Sequence, residues 1–233
     1  GCIVSIEGVI SMKSIERVKK LIRKYRHAWV ALYALIYMPW FVYLERRTGV
    51  HYFFIHSPID DYIPFIEYFI VPYLLWFVFI AAVIGYFFFT DKRGFYRLTA
   101  FLITGMTFFL ILCTVFPNGL NLRPTEFARE NIFVDLVRYV YATDTPTNVL
   151  PSIHVFNSIG ACIAIGHSGA LKKHRTIQYA SYLLSLLIIL STVFLKQHSV
   201  TDVIAAFALA CIIYPFVYTT QEKKATKLSH QPI

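Results

Sequence analysis

Long apolar runs alternate with short polar links along this chain, and the runs set its organisation. Six stand out, at residues 28–44, 62–89, 96–116, 152–166, 177–195 and 199–218. A helix needs about 20 apolar residues to cross a ~30 Å hydrocarbon core. Within lipid, backbone polar groups must be satisfied inside the segment, so such runs read as helices. The expected fold is all-α, a six-transmembrane helical bundle. Pro39 is expected to kink the first run. The second is longer than one crossing needs and holds Pro64 and Pro72, so it is expected to start as an interfacial segment. The fourth run is short, and its ends are the hardest to place.

The polar stretches divide the chain further. Residues 12–27 carry Lys13, Arg17, Lys19, Lys20, Arg23, Lys24 and Arg26, with Ile15, Val18, Leu21 and Ile22 at helical spacing. This reads as an N-terminal basic amphipathic helix lying on a membrane face, or equally as a plain topogenic charge cluster. Residues 117–151 form a long loop between spans 3 and 4, in which Phe127–Tyr141 has the periodicity of a short helix. The chain thus divides into a basic segment at 1–27, a six-span domain at 28–220 and a tail at 221–233. Sixteen Lys and Arg fall on the side of the termini and six on the side of the long loop. The positive-inside rule then places both termini in the cytoplasm and the long loop outside, most simply across a bacterial plasma membrane.

Composition supports this reading and excludes others. The chain is 57% hydrophobic and 15% charged, against ~25% charged in ordinary soluble domains. Its net charge of +9 lies in short blocks between apolar runs, as orientation signals do, so no nucleic-acid partner is expected. The four cysteines form no CxxC pair and no zinc-like cluster with histidine. Neither a disulfide nor a metal is expected.

Chemistry concentrates in the second half, where Leu150-Pro151-Ser152-Ile153-His154 is answered by Lys196-Gln197-His198-Ser199-Val200-Thr201-Asp202. His198 and Asp202 are four apart, which on a helix puts both on one face. A carboxylate there can hold one imidazole nitrogen and leave the other free to attack. Ser152 and His154 open a run after Pro151, where free N–H groups and the helix dipole favour an anion. Arg123 supplies a planar fork suited to phosphate. Each residue also has a plainer explanation: a structural His–Asp pair, an interfacial histidine, or an arginine paired with Glu126. A second HxxxD, His56 to Asp60, contains Pro58 and is read as loop.

Three segments, in order and spacing, resemble the type 2 phosphatidic acid phosphatase superfamily of integral membrane lipid phosphatases. Its motifs are KxxxxxxRP, PSGH and SRxxxxxHxxxD. Here the first runs from Phe116 to Pro124, with Phe116 at the lysine position and Arg123-Pro124 kept. The second is Pro151 to His154, with Ile153 for glycine, and the third runs from Ser191 to Asp202, with Thr192 at the arginine position. The resemblance implies that His198 is a nucleophile forming a phosphohistidine, oriented by Asp202. His154 would be the acid and base, and Arg123, Ser152 and Ser191 would bind phosphate oxygens. It requires no cofactor and no metal. Lys196 is a candidate replacement for one of the missing cations, and Arg129 or Arg138 for the other. The implied partners are membrane lipids and a lipid phosphate, either a phosphomonoester or a diphosphate, that is hydrolysed at the site. Two alternatives stand beside this: transfer of a phospho-head group to an alcohol, as in inositol phosphorylceramide or sphingomyelin synthases, and a non-catalytic transporter or scaffold.

Overall fold

The computed structural model describes residues 16–219; the segment 1–15, residue 220 and the whole of the tail assigned to 221–233 lie outside the described residues. The described chain is mostly helical, and five of its helices are long and apolar enough to cross a membrane: Arg26–Arg46, Glu67–Thr90, Lys92–Val115, Arg175–Phe194 and Val200–Thr219. It is a membrane protein. Helix α1 covers residues 16–24 and exposes Val18, Leu21 and Ile22 beside its basic residues. A 3-10 segment, Arg26–Tyr33, runs into α2, Ala34–Arg46, with Pro39 inside it. Then follow α3 (Ile70–Thr90), α4 (Lys92–Val115), α5 (Ile132–Thr143), α6 (Ile153–His167), α7 (Arg175–Phe194) and α8 (Val200–Tyr214).

Several boundaries differ from the hydrophobic pattern, and each has a local cause. Helix α3 begins at Ile70, after a 3-10 turn at Glu67–Phe69. Pro72 then sits in its first turn, where a missing N–H costs nothing. Helix α4 begins four residues before its apolar run, because the Asp91 side chain accepts from Gly94 N at 2.9 Å and caps it. Helix α5 begins at Ile132, five residues later than the periodicity of Phe127–Tyr141 implies. Asn131 sets that start, with Oδ1 accepting from Phe133 N and Val134 N at 3.0 Å each.

The short apolar helix α6 is at the centre. At ~1.5 Å per residue its 15 residues span about 22 Å, less than a full hydrocarbon core. It is packed by α3, α4, α7 and α8, and the inward positions Val155, Phe156, Ala161, Ala164 and Ile165 are buried. Close approach to α4 depends on small residues, as helix pairs in membranes often do. Phe156 stacks on Phe101 with ring centroids 4.7 Å apart, over Gly105. A Cβ at Gly105 would lie 2.1 Å from the Phe156 ring.

The loops at one end are tied together. Phe53–Phe54 and Asn118–Gly119 form a two-residue parallel pair. Asn118, fully buried, accepts from Val149 N and Leu150 N at 2.8 and 2.9 Å and donates to Phe116 O at 2.8 Å. Asn148 donates to Glu45 Oε1 at 2.8 Å and accepts from Arg47 at 3.3 Å, while Thr145 donates to Glu45 Oε2. This network holds residues 145–150 against the end of α2 and so fixes the approach to Ser152 and His154.

Candidate active site

The two motif segments meet at that same end. Ser152 caps α6, its Oγ accepting from Val155 N at 3.4 Å, and its own N–H donates to Asp202 O at 3.2 Å. This bond joins the start of α6 to the first turn of α8. It brings the His154 and His198 rings to a centroid distance of 5.9 Å.

His198 is not on a helix, contrary to the one-face expectation for the pair. It lies in the turn between α7 and α8, just before the capping residue Ser199. Asp202 is the third residue of α8, and Ser199 and Asp202 form a reciprocal capping box. Asp202 Oδ2 accepts from Ser199 N at 2.9 Å and lies 3.3 Å from His198 Nδ1. The latter is slightly longer than the usual hydrogen-bond range. The four-residue spacing therefore works through a helix cap. The turn itself is fixed by Gln197 N and His198 N, both donating to Thr192 O at 2.9 and 3.0 Å, with Lys196 at φ +52. Thr192 contributes its carbonyl to the turn.

His154 is held by aromatic rings from α3: Tyr73 at 4.6 Å and 25°, and Trp76 at 4.3 Å and 42° between planes. Its Nε2 is buried without a protein partner. Arg123 stacks on Tyr141 at 4.5 Å and donates to Gln197 Oε1 at 2.5 Å and to Asp144 O at 2.7 Å. Its charge faces the Asp144 carboxylate at 3.8 Å. Burial lowers the Arg123 pKa somewhat, and Asp144 and the Tyr73 and Tyr141 hydroxyls oppose that shift. Arg123 Nε, Gln197 Nε2 and Asp202 Oδ1 are likewise buried without protein partners. Leaving such groups unpaired costs ~1–3 kcal/mol each, so this end of the bundle suits a polar ligand.

The remaining expected residues are placed differently. Ser191 is fully buried, and its hydroxyl donates back to Ile188 O at 2.6 Å. Lys196 turns away from the histidines and donates to Asp60 O at 2.7 Å. Burial lowers its pKa, and Asp60 and Asp61 oppose the shift. Arg129 and Arg138 are taken up by Glu67 and by Glu130 with Asp135. The distribution leaves Arg123 bonded to Gln197, the residue before His198, and to Asp144, with the alternative cations in other pairings.

Two acidic residues near the histidines escaped the sequence reading. Asp60, in the HxxxD read as loop, is buried and sits in a capped 3-10 turn, Pro58–Asp61. Its carboxylate accepts from Ser199 Oγ at 2.6 Å, Val200 N at 2.8 Å and Ser57 N at 2.8 Å. His56 pairs with Asp61 instead, at 2.9 Å. Asp144 lines a cavity of about 670 Å³ together with His154, Asn157, Tyr73 and Trp76. Burial raises its pKa, an effect that Arg123 and His198 reduce. The second HxxxD carried a signal for Asp60, but Pro58 argued against it. Asp144 carried none beyond lying in the long loop.

No protein-family model, curated protein or solved structure matches the chain. Among the described residues, no group of three or more His, Cys, Asp and Glu side chains is placed to hold a metal ion.

Proposed function

We propose that this protein is a membrane-embedded lipid phosphate phosphatase of the type 2 phosphatidic acid phosphatase kind, with α6 as a short sixth span. The meeting of His198, Asp202 and His154 beside Arg123 carries the reading: Asp202 stands 3.3 Å from His198 Nδ1 and the two imidazoles are 5.9 Å apart. Hydrogen bonding to Asp202 keeps the proton on Nδ1 and leaves a lone pair on His198 Nε2. That nitrogen attacks phosphorus, the P–O bond to the lipid breaks, and His154 gives a proton to the leaving alkoxide. Water then attacks the phosphohistidine while His154 takes its proton. The P–N bond breaks, releasing phosphate and restoring His198. Arg123 and the N–H groups at the start of α6 hold the phosphoryl oxygens. The distribution of Lys and Arg, sixteen against six, supports a site on the extracytoplasmic face.

A second reading has its own support. Arg123 already faces Asp144, and Phe116 and Thr192 occupy the positions of two family cations. A site with so little uncompensated positive charge suits a phosphodiester, with one negative charge, better than a phosphomonoester with two. The lipid phosphotransferase reading uses the same histidines but replaces water by an alcohol.

The test is release of inorganic phosphate by the purified protein in detergent from phosphatidic acid, lysophosphatidic acid and a polyprenyl diphosphate, alongside His198→Ala. Release that the substitution abolishes supports the phosphatase. Absence of release, with a new head group appearing when a diester donor and an alcohol are supplied, transfers support to the second reading.

A further inference from the structure

The 670 Å³ cavity does not end below His154. It shares Tyr37, Met38, Ile84 and Met106 with a second cavity of about 590 Å³ between α2, α3 and α4. Beyond those four residues the second cavity is lined almost wholly by apolar side chains, down to Phe88 and Phe95 at the opposite end of the bundle. Its side at Ala31 of the 3-10 segment and Ala34 of α2 is exposed, so the groove opens sideways toward lipid. Tyr73 at the top and Phe88 at the bottom are fifteen positions apart on α3, or about 22 Å at ~1.5 Å per residue. That exceeds half of a ~30 Å hydrocarbon core, the depth of one leaflet.

We propose that the two cavities form one groove that binds a hydrocarbon chain of the substrate lipid along α2, α3 and α4 and measures its length. The inference rests on the phosphatase or phosphotransferase reading, because it is the continuity with His154 and Asp144 that identifies the occupant. A head group at the histidines can direct its chain into the adjoining cavity, downward past Met38, Ile84 and Met106. Transfer from bilayer to groove gains little hydrophobic free energy, since lipid tails are as apolar as the lining. The groove therefore acts through fit. A chain that reaches the lower cavity is held with its head group in register, and a chain that stops short leaves that part filled by other lipid. The expected consequence is selectivity for long chains more than tight binding.

The test narrows the lower cavity from two helices separately, with Ala34→Trp and Ile103→Trp, so that misfolding of one variant leaves the other. Phosphate or head-group release is measured on dioctanoyl and dipalmitoyl phosphatidic acid, or on the matching phosphodiesters, in the same micelles. The ratio of long-chain to short-chain kcat/KM is expected to fall roughly tenfold in both variants, the low end of what a misfitting methylene causes in an apolar pocket. An unchanged ratio in folded variants, with turnover still dependent on His198, overturns the groove and leaves the site reading intact. A phosphatidic acid with a photoreactive diazirine at its chain end provides a readout independent of turnover. Labelling around Ala34, Phe95 and Ile103 supports the groove even if no substrate is turned over, and labelling confined to other faces overturns it.

Discussion

Asp60 gives the sharpest structural prediction, because one carboxylate joins the loop before α3 to the start of α8. It accepts three hydrogen bonds in a buried setting, from Ser57 N, Ser199 Oγ and Val200 N, all between 2.6 and 2.8 Å. Asp60→Ala removes all three and leaves donors unpaired at the start of α8. Hydrogen bonds to a charged group contribute about 1.5–3 kcal/mol each, but water reaching the opened site and relaxation of the 3-10 turn recover part of the loss. The expected net cost is about 2–4 kcal/mol. Asp60→Asn keeps the shape and one acceptor oxygen, and Ser199 Oγ can turn to accept from the new amide. Only the donor that then faces an N–H₂ group is lost, so the expected cost is about 1–2 kcal/mol. Reversible unfolding in mixed micelles, followed by tryptophan fluorescence, measures both. Because His198 immediately precedes Ser199, turnover should fall in both variants even at temperatures where they remain folded. A loss below about 0.5 kcal/mol for Asp60→Ala would refute the reasoning, since it would mean that the three bonds do not anchor α8.

Other consequences follow from the packing and charge. Gly105→Leu should destabilise the protein by about 1–3 kcal/mol, because even a Cβ meets the Phe156 ring; Gly85→Ala, where a Cβ meets nothing within 4 Å, should be tolerated, and thermal melts compare the two. Asp144→Asn should lower the KM for a phosphomonoester by freeing the charge of Arg123, and steady-state kinetics with mono- and diester substrates measures the change. The same substitution has a pH signature. A carboxyl whose folded pKa is raised above its ordinary value stabilises the fold fully below that ordinary value and less as pH rises through the folded pKa. The variant should therefore gain stability relative to the parent as pH rises from about 4, by a small amount because the Asp144 side chain keeps 44% of its exposure where it opens onto the cavity. Lys196→Met should change KM far less than Arg123→Met does, since the Lys196 ammonium is bonded to Asp60 O.

The fold was legible where hydrophobicity alone decides it. Five long apolar runs became helices of membrane-crossing length, with ends shifted where Asp91 and Pro72 supplied local chemistry the hydrophobic count ignores, as Asn131 does for the short loop helix α5. The fourth run became a helix too, but one of 15 residues, too short to be recognised by length. Its shortness is tolerated because neighbouring helices surround it. The candidate site was legible in its residues and less so in its geometry. His154, His198, Asp202, Ser152 and Arg123 gather at one end, yet His198 and Asp202 meet across a helix cap and not along a helix face. Lys196 lay two residues from His198 and still points elsewhere, because a left-handed backbone at that residue turns its side chain toward Asp60. Spacing pointed to Asp60 only through an HxxxD that Pro58 argued against, and to Asp144 not at all, since each reaches its partners through a long-range loop contact.

The claim on which the account depends is that His198 carries the phosphoryl group. Rapid acid-free quenching of the enzyme with a lipid labelled in its phosphate, followed by digestion and mass spectrometry, tests it directly. An alkali-stable, acid-labile phosphate is expected on the peptide containing His198, absent from His198→Ala and accumulating in His154→Ala as breakdown slows. Turnover with no label on His198, or undiminished turnover by His198→Ala, would contradict it.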